Sequence, residues 1–307
     1  MQELFAVQQP DGGSPMLAEE RRFRISEILS QQRTVAAAEL TEMLGVTAAT
    51  VRRDLAALER QGLLVRSHGG AVSRSSNTNF QPSYEAQGRS QREEKRQIAA
   101  EAAKLVLDGD TLFLEGSTTV AEMLPKLQQR VRLTVVTNSP LILYQLQRFQ
   151  NIHVICTGGD LQRDVFYLSG VWAQRALGEI RVDKAFLGVS GIDVGYGLST
   201  ASQTEALIKK AIIRSAKVRI ALADHSKFGN QCFAYVGPVA DLSCLVTDAG
   251  TPSSCVKALR DTGVQVIVAG EDASSNRENA GRPLSAAGTV HHAGDKNGAG
   301  RSKRGGR

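Results

Sequence analysis

The sequence predicts an α/β protein with an N-terminal winged helix-turn-helix, followed by a Rossmann-like, mostly parallel α/β domain. Three features support this: two amphipathic helices joined by a glycine, a Gly-Gly hairpin directly after them, and apolar strands alternating with helical segments in the rest of the chain. Such alternation is typical of a parallel sheet covered by helices. The predicted boundaries are 17–73 for the first domain, 74–90 for a linker, 91–270 for the second domain and 271–307 for a disordered tail.

The first domain begins with a helix over Leu17–Gln31, whose apolar residues recur at helical spacing. A second helix over Val35–Leu44 ends at Gly45, because glycine accepts the left-handed backbone of a helix stop. Thr47 is placed to cap a third helix, Ala48–Gln61, since its hydroxyl can accept a free backbone N–H. Two helices joined by so short a turn form a helix-turn-helix.

The third helix has two distinct faces. Its inward face carries the apolar residues Val51, Leu55 and Leu58. Ala49 and Arg53 lie on the opposite side, where small neighbours let the arginine approach a base-pair edge and donate two hydrogen bonds to a guanine. Thr50 and Arg52 flank this face and can contact phosphates, which fix position without reading sequence.

A wing follows the third helix. Leu63–Arg66 and Ala71–Val72 are predicted to be short strands around a Gly-Gly turn, which is a strong hairpin signal. Arg66 on this hairpin is a further candidate for contact with a DNA backbone. Two alternatives stay open: exposed helices often carry solvated arginines, which Asp54 can neutralise, and winged helices also dock proteins.

The composition permits a nucleic-acid partner without requiring one. The 307 residues include 37 Lys and Arg against 31 Asp and Glu, a net charge of +6, but much of the excess lies in the tail. None of the four cysteines has Cys-x-x-Cys spacing, so we expect no metal site. The first residues lack a basic start and an apolar core, and no apolar run is long enough to cross a membrane. We therefore expect a cytoplasmic protein without a signal peptide, a membrane partner or a cofactor.

The second domain is predicted from apolar strands separated by amphipathic segments. The strands are Thr111–Leu114, Leu133–Thr137, Ile152–Thr157, Lys184–Val189, Val218–Ala223, Cys244–Thr247 and Val264–Ala269. The helices between them include Thr119–Gln129, Pro140–Phe149 and Thr204–Ala216. Another helix begins near Gln91; Ile98 and Ala102 lie on its inward stripe, and its start, REEKR, is predicted to lie on the surface.

Polar clusters follow several of these strands, at the edge of a parallel sheet where ligands bind. They are EGSTT at Glu115, TNS at Thr137, TGG at Thr157, GVSGID at Gly188 and DHSKFG at Asp224. Hydroxyls and free N–H groups at a helix start suit a phosphate, to which Lys227 can add a positive charge. The alternatives are that Ser117 only caps a helix, and that Glu205 and Lys209 form only an intrahelical ion pair.

The first domain resembles a known family. Its segment AEERRFRISEILSQQRTVAAAELTEMLGVTAATVRRDLAALERQGLLVRSHGGA is similar to the N-terminal module of the DeoR family of bacterial sugar-metabolism regulators, above all in TVRRDL and RSHGGA. The resemblance implies that Thr50, Arg52 and Arg53 contact DNA. Together with the residues argued above, the predicted DNA-binding set is Thr47, Ala49, Thr50, Arg52, Arg53 and Arg66.

The second domain extends the resemblance. Six motifs occur in the order found in the effector domain of DeoR-type regulators: EGSTT, VVTNS, TGG, DKAFLGVSGID, TEALIKKA and LADHSKFG. That domain is related to ribose-5-phosphate isomerase, and the resemblance implies that it binds a phosphorylated sugar or sugar derivative. Carried over by motif, the effector-binding residues are Glu115, Ser117, Thr118, Thr119, Asn138, Ser190, Glu205, Lys209 and Lys227. One departure is Glu115, where many members carry aspartate.

These observations favour a DNA-binding transcriptional regulator, a repressor of carbohydrate-metabolism genes controlled by a phosphorylated sugar. We expect it to bind double-stranded operator DNA as a homo-oligomer, since one short helix reads few bases. The alternative is a sugar-phosphate isomerase-like enzyme with an added DNA-binding module, in which Glu115 or Glu205 is a general base. We expect no enzyme, because the sequence singles out no acid partner, metal set or activated nucleophile.

Overall fold

The structure, a computed structural model, describes most of the chain between residues 16 and 271. The described residues are 16–32, 34–60, 63–67, 69–73, 78–79 and 81–271. The tail that the sequence predicts to be disordered lies outside them, except for Glu271. No helix among the described residues is long and apolar enough to span a membrane.

In its described residues, the N-terminal domain packs helices against a three-stranded antiparallel sheet. Its elements are α1 (Ala18–Gln31), β1 (Thr34–Ala36), α2 (Ala37–Leu44), α3 (Ala48–Arg60), β2 (Leu64–Ser67) and β3 (Gly70–Ser73). The core includes Ile25, Leu40, Val51, Leu55, Leu58 and Leu64, which are almost fully buried. Gly45 ends α2 in the left-handed conformation, with a φ of 62°. The predicted helix-turn-helix and wing are both present.

The prediction of one helix over Val35–Leu44 is wrong at its start. Thr34–Ala36 form β1 instead, which pairs antiparallel with β3 and closes a sheet in the order β1-β3-β2. The β-branched Thr34 and Val35 favour a strand, and pairing buries Val35. Gly70 is needed at this pairing, because a Cβ there would lie 2.1 Å from the carbonyl oxygen of Val35.

The second domain is built on a sheet in which every neighbouring pair of its seven strands is parallel. In spatial order the strands are β15 (Gln265–Ala269), β14 (Cys244–Asp248), β12 (Ala216–Leu222), β9 (Val182–Gly188), β4 (Thr111–Leu114), β5 (Leu133–Thr137) and β6 (Ile152–Cys156). They correspond to the strands expected from the sequence, with ends shifted by no more than two residues.

Helices pack against both faces of this sheet. One face is covered by α5 (Arg92–Lys104), α6 (Thr118–Ala121), α7 (Leu124–Leu127) and α8 (Pro140–Leu146), and the other by α9 (Gly170–Gly178), α10 (Gln203–Ser215) and α11 (Ser253–Asp261). Strand β4 shows the division, since Leu112 and Leu114 pack on the first group and Phe113 on the second. The predicted Thr119–Gln129 helix is split into α6 and α7, and Pro125, which has no backbone N–H to donate, lies at the start of α7.

Several short elements were not predicted. They are α4 (Tyr84–Arg89), the hairpin of β7 (Asp160–Gln162) and β8 (Tyr167–Ser169), and the antiparallel sheet of β10 (Gly191–Asp193), β11 (Gly197–Thr200) and β13 (Ala234–Gly237). Strands of three or four residues are too short to show a clear alternation of apolar and polar side chains. Helix α4 lies within the predicted linker.

Candidate functional site

The outer face of α3 presents the arginines that the sequence predicts for DNA contact. Burial of Val51, Leu55 and Leu58 fixes the rotation of α3, so Arg53 is exposed on the opposite side and Arg52 is exposed beside it. Ala49 is exposed beside them, and its small side chain leaves Arg53 free to approach a base-pair edge.

The start of α3 is capped as expected. The backbone N–H of Thr50 donates to Oγ1 of Thr47 at 3.3 Å, and the two threonine hydroxyl oxygens lie 3.0 Å apart. Thr47 is exposed and Thr50 is half-buried. Both hydroxyls therefore stand at the edge of the arginine face, where they can also reach phosphate oxygens.

Asp54 does not neutralise the outer arginines, which corrects one alternative raised from the sequence. Its carboxylate is 2% exposed and accepts hydrogen bonds from Nε of Arg21 at 2.6 Å and Nε of Arg22 at 3.1 Å. This buried ion pair joins α1 to α3. Arg21 and Arg22 are therefore structural residues of the domain, and the charges of Arg52 and Arg53 are not reduced by Asp54.

Arg66 on the wing is exposed but already has a partner. Its Nε donates to Oε2 of Glu59 at 2.6 Å, and its backbone N–H donates to Oε1 of the same carboxylate at 3.2 Å. The pair fixes β2 against the C-terminal end of α3. A phosphate that contacts Arg66 must compete with this carboxylate.

A cleft lies at the carboxyl ends of β4, β9 and β12, the three central strands of the large sheet. Glu115 follows β4, Ser190 follows β9 and Asp224 follows β12, and all three line the cleft. The space inside the cleft, counted together with its open mouth, is about 560 Å³. Of the predicted effector residues, those that line it are Glu115, Ser117, Thr118, Thr119, Ser190, Glu205, Lys209 and Lys227.

One part of the cleft is a buried lysine held between two glutamates. Lys209, 1% exposed, donates to Oε1 of Glu115 at 2.6 Å and to the carbonyl oxygen of Gly188 at 2.7 Å, and its Nζ lies 3.1 Å from Oε1 of Glu205. Burial lowers the pKa of Lys209, but the two carboxylates outweigh it and hold the pKa above its ordinary value. We call these three residues the glutamate network, and its formal charge is −1.

Glu205 and Lys209 therefore form the intrahelical ion pair considered from the sequence, but Lys209 also has partners outside α10. Lys209 also reaches across from α10 to Glu115 at the end of β4, whose second oxygen accepts the Gly188 N–H at 2.9 Å. The network fixes the ends of β4 and β9 at the floor of the cleft. Its excess negative charge favours hydrogen-bond donors such as sugar hydroxyls.

A second group of charges, which we call the lysine cluster, consists of Lys95, Lys227 and Asp224. Burial lowers the pKa of Lys95 to about 8; Asp224 opposes this effect and Lys227 adds to it. Nζ of Lys227 lies 4.0 Å from Oδ2 of Asp224, which is 1% exposed. With both lysines protonated the cluster carries a formal charge of +1, which favours an anion.

Lys95 corrects the prediction that REEKR is a surface segment. It is 4% exposed, and its ammonium donates to the carbonyl oxygen of Ser90 at 2.7 Å and to that of Gln87. The sequence contained a signal for this: Lys95 precedes Ile98 by three residues and Ala102 by seven, so it lies on the inward stripe of α5. A charged residue on an apolar stripe marks either a paired core residue or a binding group.

The hydroxyl residues after Gly116 complete this part of the cleft. Thr118 and Thr119 are largely buried, and Oγ of Ser117 accepts the Thr119 N–H at 3.2 Å, so Ser117 both caps α6 and lines the cleft. Gly188 makes room for it, because a Cβ at Gly188 would lie 2.5 Å from Oγ of Ser117. The cleft thus combines hydroxyl groups with charges of both signs.

Asn138 is the predicted effector residue that does not line the cleft. It is fully buried; its Oδ1 accepts the Gly116 N–H at 3.1 Å and its Nδ2 donates to the carbonyl oxygen of Leu168 at 3.2 Å. Both ends of its amide are therefore occupied by backbone groups. Asn138 therefore positions the turn that carries Ser117 rather than lining the cleft.

The wall of the cleft is completed by residues that the sequence did not predict: Gln81, Tyr84, Gln87, Val165 and Tyr167. The ring of Tyr84 packs edge-on against that of Phe166, with centroids 6.1 Å apart. Burial, with Glu122 and Glu115 nearby, raises the pKa of Tyr84 to about 12, so its hydroxyl stays protonated. These residues come from the predicted linker and from the β7–β8 hairpin, where no periodic pattern pointed to them.

Both parts of the chain match a family model. Residues 21–77 match the DeoR-like helix-turn-helix domain, and residues 90–249 match the DeoR C terminal sensor domain. The chain belongs to the DeoR family. Members of this family are transcriptional regulators, so the expectation of a regulator is confirmed at the level of the family.

Two DeoR-family relatives match over nearly their whole length. The chain is 40% identical over 259 residues to the uncharacterized HTH-type transcriptional regulator YulB of Bacillus subtilis, covering 82% of this chain and 96% of that protein. It is 32% identical over 247 residues to the glycerol-3-phosphate regulon repressor of Escherichia coli K12, covering 80% and 97%. Ribose 5-phosphate isomerase A from Methanocaldococcus jannaschii shows a partial structural likeness, with a TM-score of 0.34 and 22% identity over 45% of this chain and 55% of that one. A likeness of that extent carries no information on activity.

Proposed function

We propose that this DeoR-family protein is a repressor of carbohydrate-metabolism genes that binds operator DNA through α3 and the wing, and a phosphorylated sugar or polyol in the cleft. The observation that carries the proposal is the division of charge inside the cleft. The lysine cluster and the hydroxyls of Ser117, Thr118 and Thr119 suit a phosphate, while the glutamate network suits the hydroxyl groups of the same ligand. A phosphorylated polyol has both kinds of group.

On the DNA side, we propose that Arg53 reads a base edge in the major groove while Thr50 and Arg52 hold phosphates. The exposed positions of both arginines support this, as does the cap at Thr47, which fixes the start of α3. Arg66 joins them from the wing once it leaves Glu59. Because α3 is short and reads few bases, we propose that two or more copies of the chain bind paired half-sites.

The name of one relative supports the class of ligand. The Escherichia coli protein that shares 32% identity is named for the glycerol-3-phosphate regulon, and glycerol 3-phosphate is a phosphorylated polyol. We propose the same chemical class for this chain. A ligand of this class regulates DNA binding only if it binds two conformations or assembly states with unequal affinity.

Thermal unfolding with candidate ligands tests the ligand class. Glycerol 3-phosphate, ribose 5-phosphate and glucose 6-phosphate are compared with glycerol, ribose and glucose, since a ligand that binds the folded state raises its stability by mass action. We expect at least one phosphorylated compound to raise Tm, its unphosphorylated partner to have no effect, and Lys227→Gln to abolish the shift. Lys257→Gln, an exposed lysine on α11, is the matched control. Equal shifts from phosphorylated and unphosphorylated compounds would contradict the proposal.

We also propose that the cleft binds without turnover. Glu115 and Glu205 are the general bases considered from the sequence, and both are ion-paired with Lys209. We expect no isomerisation of ribose 5-phosphate or glucose 6-phosphate above the uncatalysed rate. Turnover that disappears in Glu115→Gln would instead support the enzyme alternative.

A further inference from the structure

The wall of the cleft includes residues of the segment that joins the two domains. Gln81, Tyr84 and Gln87 line the cleft, although they precede α5 and follow the wing, whose last strand ends at Ser73. A ligand in the cleft therefore lies against the part of the chain that leads directly to the DNA-binding domain.

The side chain of Gln81 is hydrogen-bonded to the carboxylate of Glu205, to which a ligand hydroxyl would also bind. Its Nε2 donates to Oε2 of Glu205 at 2.6 Å, while Oε1 of Glu205 lies 3.1 Å from Nζ of Lys209. Both oxygens of this buried carboxylate are thus engaged. An amide N–H and a sugar O–H both donate to a carboxylate oxygen, so a ligand hydroxyl that approaches Oε2 from the side now taken by the Gln81 amide displaces Gln81.

The contacts on either side of Gln81 do not involve Glu205. The Thr78 carbonyl oxygen accepts the Phe233 N–H at 2.8 Å, and the Tyr84 N–H donates to the Asp164 carbonyl oxygen at 2.8 Å. Gln81 lies between these two backbone contacts. Of these three contacts, the hydrogen bond from the Gln81 side chain to Glu205 is therefore the one that a ligand hydroxyl can replace directly.

We propose that Gln81 is an internal competitor for the effector. The inference rests on the proposed function: when the hydroxyls of a phosphorylated polyol bind Glu205, the carboxamide of Gln81 is displaced, and the segment from Thr78 to Tyr84 is held less firmly against the sensor domain. Occupancy of the cleft is in this way transmitted to the segment that positions the winged helix. Because coupling is reciprocal, a state that holds Gln81 on Glu205 binds the effector more weakly.

The variant Gln81→Ala tests this with two readouts. Removal of the competitor is expected to tighten binding of the phosphorylated compound that shifts Tm most, by roughly tenfold, the effect of one hydrogen bond to a charged group. Without any ligand, the operator Kd of Gln81→Ala is expected to shift in the same direction as the wild-type Kd shifts with that compound. Calorimetry measures the first effect and fluorescence anisotropy the second. Glu85→Ala, exposed on α4, is the matched control and is expected to change neither.

The outcomes separate the inference from the function on which it rests. Weaker binding of the compound by Gln81→Ala would make Gln81 a ligand contact and overturn the inference, and so would unchanged binding with an unchanged operator Kd. In either case the wild-type protein still binds its effector and the proposed function stands. If none of the phosphorylated compounds binds either wild type or Gln81→Ala, the proposed function fails and the inference fails with it.

Hydrogen exchange distinguishes displacement of the segment that carries Gln81 from a fixed role of Gln81 in the wall of the cleft. On binding of the compound, amide exchange at Tyr84 and Phe233 is expected to become faster in the wild type, because the hydrogen bonds that these two amides donate loosen. In the Gln81→Ala variant, exchange at these amides is expected to be fast without ligand and to change little when the compound binds. Slower exchange on binding in the wild type would contradict displacement of the segment.

Discussion

The lowered pKa of Lys95 predicts how effector binding depends on pH. Burial brings this pKa from 10.5 to about 8. A bound phosphate favours the ammonium form, so binding is strongest where Lys95 is already protonated and weakens as pH rises through 8. Between pH 7 and pH 9 the protonated fraction falls from about nine-tenths to about one-tenth, so affinity should fall roughly tenfold, or about 1.4 kcal/mol.

Three other ionisable groups in or near the cleft have raised pKa values. The pKa of Tyr84 is raised to about 12, chiefly by burial, and the pKa of Lys209 is held above its ordinary value by two carboxylates. Burial also raises the pKa of the Cys232 thiol. A phosphate monoester has its second pKa near 6, so about nine-tenths of it is already dianionic at pH 7. The fall in affinity above pH 7 is therefore assigned to Lys95.

Calorimetric titration from pH 7 to pH 9 measures the effect. Lys95→Arg should bind with little change over this range, because arginine stays charged, whereas Lys95→Gln should bind weakly at every pH. Lys104→Arg, an exposed lysine on the same helix, should keep the wild-type profile. A tenfold fall that persists in Lys95→Arg, or no fall in the wild type, would refute the reasoning.

Three further predictions concern other parts of the protein. Arg53→Ala should weaken operator binding by about 1–3 kcal/mol in anisotropy titrations without changing Tm, since Arg53 is exposed, and an equal loss in the Arg60→Ala control would contradict a specific role. Asp54→Ala leaves two arginines without their shared buried partner and should destabilise the winged helix by about 3–5 kcal/mol in urea unfolding; a change below about 1 kcal/mol would contradict the assignment. Gly188→Ala puts a Cβ 2.5 Å from Oγ of Ser117, so Ser117 must move and calorimetry should show weaker binding of the phosphorylated compound. If the variant binds the compound with wild-type affinity, Ser117 takes no part in binding it.

The strands of the large sheet could be predicted because their apolar runs are a local property of the sequence. Strands covered on both faces, such as Leu133–Thr137, consist of apolar and β-branched residues without an alternation of charged and apolar positions, and turn or cap residues follow. The orientation of α3 could also be predicted, because Val51, Leu55 and Leu58 determine which side of the helix is buried. In both cases the sequence pattern that allows the prediction spans only a few neighbouring residues.

The parts that were not predicted depend on contacts between distant residues. The sequence pattern extends the second helix back to Val35, but Thr34–Ala36 pair with β3, which lies more than 30 residues later. The partners of Asp54 lie on α1, 32 and 33 residues away, and Gln81 meets Glu205 across 124 residues. Local patterns carry no information on such pairings, so the roles of Asp54 and of the joining segment emerged only from the fold.

Asn138 shows the limit of transferring residues by motif. The motif places it correctly at the carboxyl end of β5, beside the cleft. The orientation of its side chain is set by hydrogen bonds with backbone groups of Gly116 and Leu168, one at each end of the amide. A shared motif therefore predicted the neighbourhood of the residue but not its contacts.

The central claim is that a phosphorylated sugar in the cleft changes the affinity of α3 for operator DNA. The most direct measurement is the Kd of the 307-residue chain for its operator, by fluorescence anisotropy, with and without a saturating phosphorylated sugar. We expect a change of at least about fivefold in the wild type and little or no change in Lys227→Gln. An operator Kd that is identical with and without a compound shown to occupy the cleft would contradict the account.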